Sequence, residues 1–174
     1  MGKRSDFERR ERDFYTTPRE AVLPLLPHLP ASFSFLEPCA AGGELIDHLE
    51  AMSGGCCYEA SDIEPQAEDV QRRDALTIES CDQEYIITNP PWDRRLLHHM
   101  IKRFSDLTPT WLLFDADWMH TRQSAPFMSR LRKVVSVGRV KWIPDSKMTG
   151  KDNCCWYLFD RPSDDPTVFV GRMG

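Results

Sequence analysis

Two consecutive prolines follow directly on an apolar run in Tyr85-Ile86-Ile87-Thr88-Asn89-Pro90-Pro91-Trp92-Asp93, and no other stretch restricts the fold as severely. Tyr85, Ile86 and Ile87 read as the end of a short buried strand. Pro90 and Pro91 have no N–H and a fixed φ, so the strand stops there and the turn is rigid. Pro91 also pushes Pro90 into an extended conformation, which aims the Pro90 carbonyl out of the turn. A rigid turn at the carboxyl end of a strand is where open α/β sheets keep their ligands. Asn and Pro both favour turns, so the same residues also suit a plain corner, and the rest of the chain has to decide.

The chemistry this corner suits is methylation of a planar amine. Such a nitrogen is a poor nucleophile, because its lone pair is shared with the ring. Two acceptors that hold both N–H groups favour a more tetrahedral, electron-rich nitrogen. The Asn89 side-chain oxygen and the Pro90 carbonyl are the candidates, with Pro91 fixing the turn. Trp92 offers a flat face for a base to stack on. A methyl donor in line then needs little beyond proximity.

A second landmark lies upstream. Phe33-Ser34-Phe35-Leu36-Glu37-Pro38 reads as a strand, Cys39 to Gly43 as a turn of small residues, and Glu44–Met52 as a helix with Leu45, Ile46 and Leu49 on one face. Small side chains let the backbone approach a ligand, and the following helix start offers free N–H groups. Glu37, at the strand end, is placed to engage a cationic amino group. Residues 54–65 then read as turn and strand, with Asp62 at the strand end. An acid about twenty residues beyond a glycine turn is the usual partner of ribose hydroxyls. Asp74 sits at another strand end or loop and suits an adenine amino group. Either acid alone also fits a cap or a turn.

Downstream, residues 94–106 read as a helix whose apolar side is Leu96, Leu97, Met100, Ile101 and Phe104. His98 and His99 are adjacent, which reads as an exposed helix face rather than a metal site. Residues 110–120 read as a buried strand ending at Asp115, Asp117 and Trp118, and residues after Pro126 as helical. Residues 134–145 and 153–161 suit an antiparallel hairpin around a polar loop, and the tail from Pro162 looks weakly ordered. The first 13 residues are charged and are read as frayed or helical.

Composition sets limits on this. The 174 residues are 41% hydrophobic and 28% charged, enough for one domain with a real core and typical of a globular protein. A single domain over 1–174 is expected, with 1–12 flexible. No apolar run approaches membrane-spanning length and the start is polar, so a cytoplasmic protein with no membrane partner is expected. The six cysteines include the adjacent pairs Cys56-Cys57 and Cys154-Cys155 but no CxxC, so no metal site is expected and several thiols should be buried. A net charge of −5 argues against strong non-specific grip on nucleic acid. Basic runs at Arg94-Arg95, Lys102-Arg103 and Arg130 to Lys133 read as solvated faces.

Taken in order, these landmarks resemble the class I S-adenosylmethionine-dependent methyltransferases. Within that class the chain looks most like the small phage or prophage DNA methyltransferases that modify adenine N6, from about Asp13 to Asp160. Phe14, Tyr15, Thr17 and Pro18 resemble the family's amino-terminal cofactor motif. Glu37, Pro38, Cys39, Ala40, Ala41, Gly42 and Gly43 resemble its cradle, with Ala41 in place of the first glycine and Gly42 added. The resemblance implies that Asp62 binds ribose, Ile63 covers the adenine ring and Asp74 reads the cofactor's adenine amine. Asn89-Pro90-Pro91-Trp92 matches the catalytic motif, with tryptophan where tyrosine or phenylalanine is commoner, and Asn89 also borders the cofactor.

The implied fold is α/β. It is a Rossmann-like class I methyltransferase sheet of seven mostly parallel strands, with a terminal antiparallel hairpin and helices on both faces. The implied cofactor is S-adenosyl-L-methionine, and the implied partner is nucleic acid, DNA foremost. No target-recognition domain is inserted between Asp74 and Asn89 or expected after the sheet. Sequence recognition would then be reduced, supplied by loops, or supplied by an oligomer partner or accessory specificity subunit. Four alternatives stay open: adenine in RNA, cytosine N4, a protein glutamine amide, and a non-catalytic subunit that keeps only the fold.

Overall fold

In the computed structural model, residues 16–143, 150 and 152–172 are described. They build one eight-stranded sheet in the order β3-β2-β1-β4-β5-β7-β6-β8. The strands are β1 (Phe33–Glu37), β2 (Gly55–Asp62), β3 (Gln71–Arg72), β4 (Tyr85–Thr88), β5 (Thr110–Asp115), β6 (Leu131–Arg139), β7 (Asn153–Phe159) and β8 (Val168–Val170). Only β7 runs against its neighbours, antiparallel to both β5 and β6. The α-helices are α1 (Arg19–Val22), α2 (Glu44–Met52) and α3 (Arg94–Leu107).

Both faces of the sheet are covered, and the side-chain alternation of the strands shows it. Phe33 and Phe35 of β1, Ile87 of β4, Trp111 and Leu113 of β5 and Trp156 of β7 pack with Ala21, Val22, Leu45 and Leu49 of α1 and α2. Leu36, Ile86, Leu112, Phe114, Tyr157 and Phe159 point the other way, onto α3. From α3 come Leu97, Met100, Ile101 and Phe104, one apolar stripe at helical spacing. Full burial of such side chains contributes about 1.5–3 kcal/mol each. The Asp93 carboxylate starts α3 by accepting from the Leu96 N–H at 2.9 Å.

The expected mostly parallel sheet with an antiparallel β6–β7 hairpin is present, with four differences. The tail is ordered: β8 pairs parallel with β6 and makes an eighth strand, and the Thr167 hydroxyl donates to the Leu131 carbonyl at 2.8 Å. The segment expected to be helical after Pro126 is a 3₁₀ helix, Arg122–Arg130, with the proline inside it, and residues 131–134 already belong to β6. Pro126 cannot donate to an α-helical ladder, which favours the tighter, shorter form. The strand expected to reach Trp118 stops at Asp115, and Ala116–His120 is a 3₁₀ turn that buries Trp118 completely. His98 is not on a solvated face either. It is half-buried, accepts from the Trp118 indole N–H at 3.0 Å, and lies against the Phe127 ring with centroids 4.5 Å apart.

Candidate active site

The sheet order reverses between β1 and β4, so the carboxyl ends of these two strands frame a crevice between oppositely directed connections. β1 delivers Glu37 and the small-residue turn to that crevice, and β4 delivers Thr88 and the diproline corner. Three buried polar atoms lie along this edge without a hydrogen-bond partner among the described residues: Glu37 Oε2, Ser61 Oγ and Thr88 Oγ1. They stand at or next to the ends of β1, β2 and β4. Buried polar atoms are normally paired, so a row of orphans on one edge marks a place for a polar ligand. Burial, reinforced by the carboxylates of Asp62 and Glu44, pushes the Glu37 carboxyl well above its usual range, and Thr88 offsets this only in part. Glu37 therefore resists ionisation until a positive charge arrives.

The turn after β1 is held open from below. Ala41 adopts φ +49° and Gly43 φ +92°. The Ala41 N–H donates to Asp62 Oδ2 at 2.9 Å, and the Ala41 carbonyl accepts from the Gln66 N–H at 2.9 Å. Asp62 Oδ1 accepts from the Glu64 N–H at 2.8 Å. Asp62 is thus buried and braces the left-handed alanine, and each of its oxygens keeps one lone-pair direction for another donor. A Cβ added at Gly43 would meet nothing within 4 Å, so the cradle opens onto free space. Beside it Ile63 is 54% exposed, an apolar surface of the kind a flat ring would cover. Asp74 is exposed and caps a 3₁₀ turn, its Oδ1 accepting from the Leu76 N–H at 2.9 Å. Pro38 and Ala40 are buried, and Cys39 is half-buried with a thiol pushed up by burial and by Asp62 and Glu37. Tyr15 lies outside the described residues.

At the corner, the Asn89 amide nitrogen donates to the Thr17 hydroxyl at 3.2 Å. Asn89 Oδ1 lies 3.4 Å from the Trp92 indole N–H, which also donates to the Leu113 carbonyl of β5 at 3.2 Å. Thr17 is buried just ahead of α1, and α1 is tied to the sheet by the Trp156 indole, which donates to the Ala21 carbonyl at 2.8 Å. The Asn89 side chain is therefore half-buried at the crevice and oriented at both ends. Pro90 is buried, and Trp92 is held edge-to-face with Trp142 at 5.7 Å. A cavity of about 300 Å³ opens beside Trp92, lined by Arg94, Leu97, Phe114, Asp115 and Asp152 among others. Arg94 and Asp115 form a close ion pair there.

The structure thus brings Thr17, Asn89 and Trp92 together at one corner and places Glu37, Asp62 and Thr88 at the neighbouring strand ends. Asp117, flagged with Asp115 at the strand end, is exposed and contributes its backbone N–H to Asp115 Oδ1 at 2.9 Å. Arg94 and Asp115 were missed as a pair. Their only sequence signals are a basic residue two places after Trp92 and an acid at a strand end. Among the described residues no group of three or more His, Cys, Asp or Glu side chains is arranged to hold a metal, and no helix is long and apolar enough to cross a membrane.

No protein-family description and no curated protein matches this chain in sequence. Solved structures do match it in shape. One is described as the modification subunit of a type I restriction enzyme from Vibrio vulnificus, at TM-score 0.57 and 13% identity over 90% of this chain and 46% of that one. Another, from Listeria monocytogenes, is described as a class I S-adenosylmethionine-dependent methyltransferase, at TM-score 0.52 and 10% identity over 87% and 62%. The 23S rRNA methyltransferase ErmE matches at TM-score 0.54 and 14% identity over 88% and 72%. The chain spans between about half and three-fifths of the length of the first two. These likenesses establish the fold, which is that of the class I S-adenosylmethionine-dependent methyltransferases.

Proposed function

We propose that this chain transfers a methyl group from S-adenosylmethionine to the exocyclic amine of a nucleobase, adenine N6 in DNA. The observation that carries the reading is the orientation of Asn89. Its nitrogen is on Thr17 and its oxygen on the Trp92 side, which orients the amide at the switch point of the sheet, and the Pro90 carbonyl would supply the second acceptor. Two acceptors at a flat NH₂ group pull on its protons and free its lone pair for attack. One of those protons then leaves to solvent as the product amine becomes neutral.

The residues at the neighbouring strand ends fit the cofactor. Glu37 offers a buried carboxyl whose Oε2 has no partner among the described residues to a cationic ammonium, Asp62 retains acceptor capacity for ribose hydroxyls, and Ile63 offers an apolar face to an adenine ring. Asp74, exposed at the cap of a 3₁₀ turn, would read the cofactor's adenine amine. When bound, S-adenosylmethionine supplies an electrophilic methyl group on a positively charged sulfur. The protein's share is to hold donor and amine in line and to exclude water. A target base has to leave its stack to reach Asn89.

Similarity to part of a type I modification subunit fits recognition supplied by a second subunit, and similarity to ErmE keeps RNA as the second reading. Incubation with cofactor carrying a labelled methyl group, offered DNA, RNA and protein in parallel, tests the proposal. Label in DNA supports it. Label in RNA alone moves the substrate to the second reading. Label in protein alone, or no cofactor heat in a calorimetric titration, contradicts it.

A further inference from the structure

The cavity beside Trp92 lies apart from the residues that fit the cofactor. Its volume of about 300 Å³ is ample for a purine. Trp92, Leu97 and Phe114 give it apolar walls, and Trp92 is the residue whose indole N–H approaches Asn89. Trp92 is the side chain shared by this cavity and the corner, so a ring stacked on Trp92 here lies one side chain from Asn89.

The polar part of the lining is specific. Arg94 is anchored at one end by Asp115, whose other oxygen is fixed by the Asp117 N–H. The remaining N–H groups of Arg94 have no partner among the described residues. A guanidinium only donates, and here it is held in a fixed place rather than free to swing. Three carboxylates, Asp93, Asp115 and Asp152, line the same cavity. They outnumber the single guanidinium, so a phosphate is repelled while a neutral ring is not.

From this geometry we infer that the cavity is the target-base pocket and that Arg94, positioned by Asp115, donates to the unprotonated ring nitrogen adjacent to the reacting amine. This rests on the methyltransfer reading above. It assigns a substrate class: bases with an amine next to an acceptor nitrogen, as in adenine or cytosine. Guanine's amine is flanked by a ring N–H on one side and an unprotonated ring nitrogen on the other, so it meets the guanidinium donor to donor in one of its two orientations.

The test is methylation of a single-stranded oligonucleotide carrying adenine or 1-deazaadenine, in which a C–H replaces the ring nitrogen. The replacement makes the amine more electron-rich, so chemistry alone does not slow it. The expected result is a loss of kcat/KM on the order of 10- to 100-fold for the deaza base, the size of a missing charge-assisted bond in a buried site. In R94A the two oligonucleotides are used equally, and R94K and D115N fall between. Equal use of both bases by the unaltered protein overturns the inference while leaving methyltransfer standing. Absence of transfer to either base, with the cofactor bound, removes the methyltransfer reading and this inference with it. Because the unaltered protein gives the decisive comparison, a variant that fails to fold does not obscure the outcome.

Discussion

The Asn89 amide donates to the Thr17 hydroxyl at 3.2 Å across 72 residues of sequence, joining the corner after β4 to the segment ahead of α1. This bond leaves the Asn89 oxygen on the Trp92 side. T17V keeps the shape of the residue and deletes the partner. It should lower kcat about 2- to 10-fold with the fold intact, the worth of one neutral hydrogen bond. N89A should cost about 10²- to 10³-fold, as loss of a group aimed at developing charge does. Steady-state kinetics of the two variants side by side checks the ordering.

Glu37 should couple cofactor binding to pH. Its folded pKa lies above the ordinary value of 4.5, so the folded state holds a proton that the unfolded state releases. Stability attributable to this group is complete below about 4.5 and is lost as pH rises through the folded pKa. Urea unfolding across that window should show a falling slope that E37Q removes. Over the pH range in which Glu37 still holds its proton, binding of the cationic cofactor should release protons, visible as a dependence of calorimetric heat on buffer ionisation enthalpy that E37Q removes.

Ala41 is a left-handed residue with a Cβ, a conformation that costs a non-glycine residue on the order of 1–3 kcal/mol. A41G removes that strain and gives back about 0.4–1 kcal/mol through the freer unfolded chain. Its Tm should therefore rise by a few degrees, since about 1 kcal/mol shifts a chain of this size by roughly 2–4 °C. A41V should lower Tm, because a β-branched side chain tolerates positive φ worst. Scanning calorimetry of both variants decides it.

His98 is held neutral. Burial, then the charges of Arg94 and His99, lower its pKa below 6.5, and its ring nitrogen accepts from buried Trp118. A depressed value means that this contribution is present above about 6.5 and disappears as pH falls through the folded pKa. H98F leaves the Trp118 N–H unpaired, at a cost of about 1–3 kcal/mol, and should flatten the acid side of the stability curve below about pH 6.5.

Much of the scaffold could be read from local pattern. The helix over 44–52 matches α2 residue for residue, and the acid at 62 ends β2, because apolar period and turn residues act over short range. β8 could not be read: three residues, two with exposed side chains, carry no alternation, and what orders them is the free edge of β6. At the site, Asn89 and Thr17 were legible as motif residues. The inward turn of Asp62 toward Ala41 was not, since it depends on a loop conformation. Nor was the Arg94–Asp115 pair, which exists because α3 starts where β5 ends. Contacts made by sheet adjacency leave almost no local trace in a chain.

The most direct measurement is digestion to nucleosides of DNA treated with the protein and S-adenosylmethionine, with mass spectrometry of the modified base. The account predicts N6-methyl-2′-deoxyadenosine from the unaltered protein and none from N89A. Unmodified DNA from a protein shown by calorimetry to bind the cofactor, or methylation on carbon or on a ring nitrogen, would contradict it.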